Sequence, residues 1–504
     1  MPLARAWSVA LFGVDGTAVE IEADIGGGKP RTQIVGLPDA SLNEAKERVR
    51  AAVRNSARKW PDELVTLALS PAALPKGGSG YDVALACAVL VAAGLEPPER
   101  LAGTVLLGEL ALDGRIRPVR GVLPGLLAAR RAGLKRAIVP ATSLREAALV
   151  TELDVRGAEH LTEILDWLRG EPNTLRGPTP HPPTTRRDVP DLVDVLGQPE
   201  ARWALEVAAA GGHHLLLTGP PGTGKTMLAQ RLPGLLPELA DEQALEVTAI
   251  HSIAGLLSPE SPLVTTPPFI APHHSTSVTA LVGGGSGLAK PGAVSTAHNG
   301  VLFIDEACEA GPHRLEALRT ALEEGEIRLA RRDGVVRYPA RFQLVLATNP
   351  CPCAPPREFD CTCSPSAKRR YKNRLSGPLL DRVDLRVGMR PLTAMARSET
   401  TQPETTETVR ARVEKARRRA VERWSKYGWQ TNAAAPGPVL RREFGLPRQV
   451  TASLDRGLDT GALTARGADR CLRVSWTLAD LSDADRPTSD HVSAALEFRD
   501  RRAA

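Results

Sequence analysis

The chain has 504 residues, 42% hydrophobic and 24% charged, with 64 Lys and Arg against 58 Asp and Glu for a formal charge of +6. Such a length predicts roughly two to four domains of ordinary globular composition. With no apolar run of about 18 residues and no secretory leader, the sequence predicts a cytoplasmic protein without a membrane partner, and its mild basicity permits a nucleic-acid partner without requiring one. Alternation over Trp7 to Phe12 and Ala18 to Ile25 about Val14-Asp-Gly-Thr17 predicts a β-hairpin. Ser41-Leu-Asn-Glu44 has the capping-box pattern and opens an expected helix over Leu42 to Ser56. Strands are expected at Val65 to Leu69, Val105 to Leu112 and Ala137 to Val139, and helices at Asp82 to Gly94 and Val122 to Ala132. Together they make an α+β domain, residues 1–169.

In this domain Pro75-Lys-Gly-Gly-Ser-Gly-Tyr-Asp82, Leu107-Gly-Glu-Leu110 and Leu126-Leu-Ala-Ala-Arg-Arg-Ala-Gly133 resemble the C-terminal proteolytic domain of Lon. That family pairs a Ser nucleophile with a Lys base. The alignment puts Leu123 at the Lys position and Gly80 near the nucleophile, leaving Ser79 as a turn residue and the domain non-proteolytic. Residues 170–191 shift to Pro, Thr and Arg without apolar period and read as an extended linker.

Residues 192–390 carry the strongest motif. Leu215 to Leu217 reads as a buried strand delivering Gly219-Pro220-Pro221-Gly222-Thr223-Gly224-Lys225-Thr226 into a helix. Glycines there turn backbone N–H groups toward phosphates, Lys225 reaches the β and γ oxygens, and Thr226 ligates Mg²⁺. Gly300-Val-Leu-Phe-Ile-Asp-Glu306 is a second buried strand, ending in Asp305 for Mg²⁺ and Glu306 for the attacking water. A third, Phe342 to Ala347, leads to Asn349, which reads either as a polar group beside the γ-phosphate or as a turn residue before Pro350. Glu326 to Arg337 alternates about Asp333-Gly334, predicting a hairpin with Arg331 and Arg332 at its tip, there to grip nucleic-acid phosphates or to be solvated. His273 and His274 suggest a metal, but neighbours on an extended chain point apart. Cys351-Pro-Cys353 and Cys361-Thr-Cys363 offer four thiolates suited to tetrahedral Zn²⁺, the alternative being a redox-labile or packed cluster. Residues 391–504 read as helices, at Glu407 to Tyr427, Pro447 to Arg456, Ala465 to Leu481 and Ser489 to Phe498.

The phosphate loop, the Asp-Glu strand, Phe269-Ile-Ala-Pro-His-His-Ser-Thr-Ser277, Ala280-Leu-Val-Gly-Gly-Gly285 and Lys290-Pro-Gly-Ala-Val-Ser-Thr-Ala-His298 together resemble the YifB/ComM family of magnesium-chelatase-like AAA+ proteins, over most of the chain. The resemblance implies a P-loop α/β domain with a parallel sheet and a helical lid, in a homo-hexameric ring. It places Val195, Gly197 and Gln198 around the adenine and makes Arg382, in Leu379-Leu-Asp-Arg382, a finger reaching a neighbour's γ-phosphate. Arg466 is the lid arginine, with Arg473 as its alternate. It further implies ATP-driven motion on single-stranded or branched DNA, as a helicase or branch-migration motor in recombination of incoming DNA during natural transformation. Two rivals remain: a chelatase-like motor that remodels protein, which this chain's lack of an acidic linker and integrin-like domain disfavours, and a Lon-like ATP-dependent protease, which Leu123 disfavours.

Overall fold

The computed structural model describes residues 3–178, 189–258, 260–285, 289–331, 334–356, 358–392 and 403–500. The N-terminal part is a seven-stranded sheet in the order Arg31–Val35, Leu64–Ser70, Asp15–Gly26, Leu3–Phe12, Thr104–Leu106, Arg136–Pro140, Asp154–Ala158. The period of two sets its layers: Ala4, Ala6 and Ala10 face the helices Ala40–Asn55 and Asp82–Ala92, whereas Val9, with Val105 and Val139, faces Val122–Arg131. Three local expectations shift. The first hairpin turns at Gly13 and Val14, since Phe12 pairs with Asp15, and Gly13 takes the left-handed conformation (φ 69°) that a two-residue turn demands. The helix over Ala40–Asn55 is capped by Asp39, whose carboxylate accepts the Leu42 N–H at 2.7 Å, instead of by Ser41. The strand expected over Val105 to Leu112 is two, because Gly108 donates its N–H to the Gly80 carbonyl, after which Glu109–Leu110 pairs with Ile116–Arg117.

The central sheet has five parallel strands in the order Phe269–Ile270, Val301–Ile304, Gln343–Thr348, Leu215–Thr218, Leu385–Gly388. The three inner strands, Val301–Ile304, Gln343–Thr348 and Leu215–Thr218, are buried on both faces, which is why they read as nearly unbroken apolar runs. Leu215, Leu217, Phe303 and Val345 face one layer, built by the helix Pro199–Gly211 and C-terminal helices that include Thr406–Arg423 and Ala465–Leu481. Leu216, Leu302, Ile304 and Leu344 face the other, with Leu315, Tyr371 and Leu379. The C-terminal helices are thus bound to the sheet by a shared core. Within them Arg423 donates to Asp480 Oδ2 at 2.9 Å, Asn432 donates to the same oxygen at 2.9 Å and receives Trp424 Nε1–H at 2.9 Å, while the guanidinium lies 4.4 Å from the Trp476 ring centre.

Among the described residues, the contacts of the N-terminal part with the rest of the chain include the following two. Leu245 and Ala249 of the helix Asp241–Ala254 join the apolar cluster around Val122 and Leu126, beside a Glu146 carboxylate that accepts both the Leu123 N–H (2.8 Å) and the Ser252 hydroxyl. The turn residues Phe12 and Val14 pack on Val336 and Tyr338.

Candidate nucleotide-binding site

Three parallel strands bring their C-terminal ends to one edge, and the site is built there. Leu215–Thr218 ends in the Gly219 loop, and Thr218 is level with Thr348, so Asn349 emerges beside Gly219. Gly219 admits no side chain: a Cβ would lie 2.5 Å from the Met389 carbonyl oxygen. Gly222 (φ 77°) and Gly224 (φ 88°) hold the left-handed conformation that curls the loop. Lys225, first residue of the helix Lys225–Ala229, folds its ammonium into that curl and donates to Gly219 O at 2.6 Å, Pro220 O at 2.9 Å and Asn349 Oδ1 at 3.2 Å. Burial lowers the pKa of Lys225, while the charges of Asp305 and Glu306 oppose that shift. Thr226 Oγ1 donates to Asp305 Oδ2 at 2.6 Å, which sets a hydroxyl and a carboxylate side by side. This hard oxygen pair fits Mg²⁺, which favours one or two protein oxygens together with phosphates.

Glu306 follows in the left-handed region (φ 48°), its N–H donating to Asp305 Oδ1 at 2.9 Å. Its Oε2 lies 2.9 Å from His274 Nδ1. On the opposite flank of the loop Val195 is buried, Gly197 and Gln198 are left-handed, and the Gln198 amide donates to Arg390 O and, at 3.4 Å, to Thr223 O. This ties the expected adenine contact to the phosphate loop.

Arg382 stands apart from all of these. Leu215 pairs with Leu385 and Thr218 with Gly388, so Arg382, which precedes this strand, lies at the edge opposite the phosphate loop. Its guanidinium donates to Pro378 O at 2.6 Å and pairs with Glu323. Arg466 is exposed at the start of its helix, where its charge, with those of Arg319 and Arg470, helps lower the pKa of Arg382, burial being the largest cause. Arg466 therefore lies on the same side of the sheet as Arg382. Arg473, its alternate, is turned inward and donates to Ala435 O at 2.6 Å.

Three family models match the chain: "Subunit ChlI of Mg-chelatase" over residues 21–143, "Magnesium chelatase, subunit ChlI" over 191–397 and "Magnesium chelatase, subunit ChlI C-terminal" over 403–499. An uncharacterized protein of Mycobacterium tuberculosis is 60% identical over 499 residues, 99% of each chain. YifB of Escherichia coli is 40% identical over 500 residues (99% of this chain, 97% of that one), and the competence protein ComM of Haemophilus influenzae 39% over 514 (99% and 98%). The chain belongs to the YifB/ComM family of magnesium-chelatase-like proteins. Membership implies ATPase activity, with ATP as the nucleotide and Mg²⁺ as the metal. No helix among the described residues is long and apolar enough to cross a membrane.

This YifB/ComM family member also carries a cysteine cluster beside the nucleotide site. Cys351, Cys353, Cys361 and Cys363 place their sulfurs within 4.8 Å of one another, three of the separations being 3.5, 3.6 and 3.5 Å. A tetrahedron of sulfurs each about 2.3 Å from zinc has edges of about 3.8 Å, so the donor set fits that ion. Burial pushes the Cys351 thiol up to about 12, whereas the Cys363 backbone N–H, first among several donors, brings Cys361 down to about 7. Cys351 and Cys361 share a cleft with Pro220 of the phosphate loop and with Pro350, next to Asn349.

The expected hairpin forms, Glu326–Arg331 against Gly334–Pro339, with Arg331 opposite Gly334. Arg332 and the side chain of Arg331 lie outside the described residues. The imidazoles of His273 and His274 do not point apart: their ring centres are 4.0 Å from each other. The contact of His274 with Glu306 is the part of the site that sequence reasoning missed, its only signal being the two histidines' place shortly before the Asp-Glu strand.

Proposed function

We propose that the chain is one subunit of a homo-hexameric ring ATPase that moves on single-stranded or branched DNA, as a helicase or branch-migration motor in recombination of incoming DNA. One observation carries the reading. Lys225, Thr226, Asp305, Glu306 and Asn349 converge at one edge of the sheet while Arg382 stands at the other, so a site with a finger needs a second copy. In the hydrolysis that follows, Glu306 takes a proton from water attacking the γ-phosphorus, Lys225 and Asn349 hold the γ-phosphate oxygens, and the neighbour's Arg382 offsets charge developing toward the ADP leaving group. Thr226 and Asp305 would hold Mg²⁺, which would supply charge neutralisation for the phosphates.

The DNA assignment draws on the competence protein among the relatives and on the hairpin Glu326–Pro339, whose sequence between the strands carries Arg331 and Arg332, two cations suited to sequence-independent phosphate contacts. Arg466 then serves a neighbour's nucleotide beside Arg382. Cys351, Cys353, Cys361 and Cys363 would hold Zn²⁺, which would crosslink the loop that follows Asn349. Residues 1–169 form a Lon-protease-like domain without peptidase chemistry, 170–191 a linker, 192–390 the ATPase core and 391–504 the lid. Leu123, at the position of the family's Lys, is buried and apolar, and the Lys76 ammonium donates to the Pro71 carbonyl instead of to Ser79, which supports the absence of the Ser-Lys pair.

The test is strand displacement on a forked substrate with wild type, Glu306→Gln and the pair Arg331→Ala/Arg332→Ala. Expected are unwinding by wild type, none by Glu306→Gln, and ATPase without unwinding by the double variant. An ATPase indifferent to DNA that separates no strands refutes the DNA reading.

A further inference from the structure

Arg382 sits just past the short helix Gly377–Leu380, its N–H donating to Leu379 O at 2.9 Å. The chain on its other side is gripped by the C-terminal helices. One nitrogen of Arg470, in the helix Ala465–Leu481, donates to Arg382 O at 2.8 Å and to Asp384 Oδ1 at 2.5 Å. Arg499, in the helix Ser489–Asp500, donates to Val383 O at 3.0 Å. Asp384 completes the bracket: it is buried, and its Oδ2 accepts the His214 N–H at 3.1 Å, at the entry to the strand that carries the phosphate loop. Burial works against its charge, but Arg470, followed by His213, holds the carboxyl well below the ordinary carboxylate range.

A peptide unit is planar, so a donor that fixes the Arg382 carbonyl also limits the direction in which the Arg382 side chain leaves the backbone. A turn of about 10° at the Cα swings a guanidinium roughly 6 Å away by about 1 Å, a displacement that can cost up to about a hundredfold in rate. The guanidinium's own partners, Pro378 O and Glu323, must be given up when it reaches a neighbour's phosphate, whereas the bonds to the Arg382 and Val383 carbonyls need not be. The aim of the finger is therefore set by Arg470 and Arg499 through the backbone.

We propose that Arg470 is a positioning residue for hydrolysis in the neighbouring subunit: by tying the Arg382 carbonyl to Asp384 it aims the finger across the interface. The proposal rests on the reading of Arg382 as a finger for a neighbour's site. The experiment measures steady-state ATP turnover in mixtures of full-length chains after subunit exchange. Glu306→Gln chains, which supply only fingers, are combined with Arg382→Ala chains, which supply only phosphate loops, and Arg470→Met is placed on one kind or the other. Methionine keeps an apolar stem for packing and removes the donor. On the finger-supplying chain Arg470→Met is expected to lower the mixture's kcat about tenfold at unchanged KM for ATP, and on the Arg382→Ala chain, where no finger remains to be aimed, to leave it within about twofold. Arg499→Met, which withdraws the donor from Val383 O, repeats the test should Arg470→Met fail to assemble. A loss of equal size from either placement assigns the arginine to the fold of the C-terminal helices and overturns the proposal, and so does a finger-supplying chain that loses nothing. If the two parent variants show no turnover together, Arg382 serves no neighbour, and the finger reading fails and takes this proposal with it.

Discussion

A site divided between subunits makes a quantitative prediction for mixtures. Glu306→Gln removes the base from the phosphate-loop edge and Arg382→Ala removes the finger from the other, so each pure variant should lose on the order of a thousandfold in turnover. The strand Leu385–Gly388 rises about 10 Å between the two edges, with Arg382 further back still, so no rotamer brings this arginine to its own phosphate loop. In an equal mixture each interface takes its Glu306 from one chain and its Arg382 from the next. A complete pair then forms at about one interface in four, whatever the number of subunits in the ring. With interfaces firing independently the mixture should reach about a quarter of the wild-type rate from two inactive stocks, and cooperative rings fall below this while staying far above either stock. The assay is steady-state phosphate release after the two variants exchange subunits, confirmed by a mass-tagged chain. A mixture no faster than the mean of its components, with exchange complete, refutes a finger acting between subunits.

Elemental analysis of the purified chain should find about one zinc per polypeptide, and Cys351→Ser with Cys363→Ser should abolish it and lower the melting temperature; metal-free wild-type protein with the same melting curve refutes the zinc site. Asp480→Ala should destabilise the C-terminal helices by about 3–5 kcal/mol in urea unfolding, since it strands the Arg423 guanidinium between Trp424 and Trp476; a loss under about 1 kcal/mol would contradict this. Burial raises the Glu146 carboxyl above its ordinary 4.5, the Ser252 and Leu123 hydrogen bonds only opposing this. Because the folded pKa is the higher one, the favourable term is whole below the ordinary value and is lost as pH rises through the folded one. Glu146→Gln should therefore flatten the fall in melting temperature as pH rises above the ordinary carboxylate range, and an unchanged slope in calorimetry would count against the assignment.

The parts of the site that were legible in the sequence are those fixed by local geometry. Gly219 to Thr226 declared itself because strand, loop and helix are contiguous, and Asp305 and Asn349 because apolar runs with polar ends are what parallel strands buried on both faces require. Arg382 could be named by resemblance, but its distance from the loop depends on the Leu215 to Leu385 register, which no local pattern encodes. The edge on which Arg466 lies follows from how Trp424, Trp476 and Asp480 seat the helix Ala465–Leu481 on the sheet. The contact of His274 with Glu306 was hidden twice over: the partners lie on different strands' ends, and it needs the left-handed turn at Glu306, which a non-glycine residue does not advertise.

The turn at Gly13 shows why the N-terminal part is more than an appendage to the central sheet. A Cβ on Gly13 would lie 2.6 Å from the Arg337 carbonyl oxygen, and one on Gly334 would lie 3.2 Å from the Phe12 ring, so the turn meets the hairpin backbone to backbone at Gly13 and ring to backbone at Gly334. Phe12 and Val14 cover Val336 and Tyr338, the residues that join the hairpin Glu326–Pro339 to Ala289. At its other contact the same sheet presents Val122 and Leu126 to the helix Asp241–Ala254, which reaches the Asp-Glu strand's approach through the 2.8 Å bond from His251 to Thr296 O. Any movement of the hairpin must therefore either carry the N-terminal sheet with it or break the Phe12 contact. Gly13→Ala should separate these alternatives: its steric conflict lies at the hairpin and nowhere near Lys225. It should leave nucleotide binding intact, measured with a fluorescent ATP analogue, while reducing unwinding. Loss of both together would mean that the turn supports the fold of the motor and not its stroke.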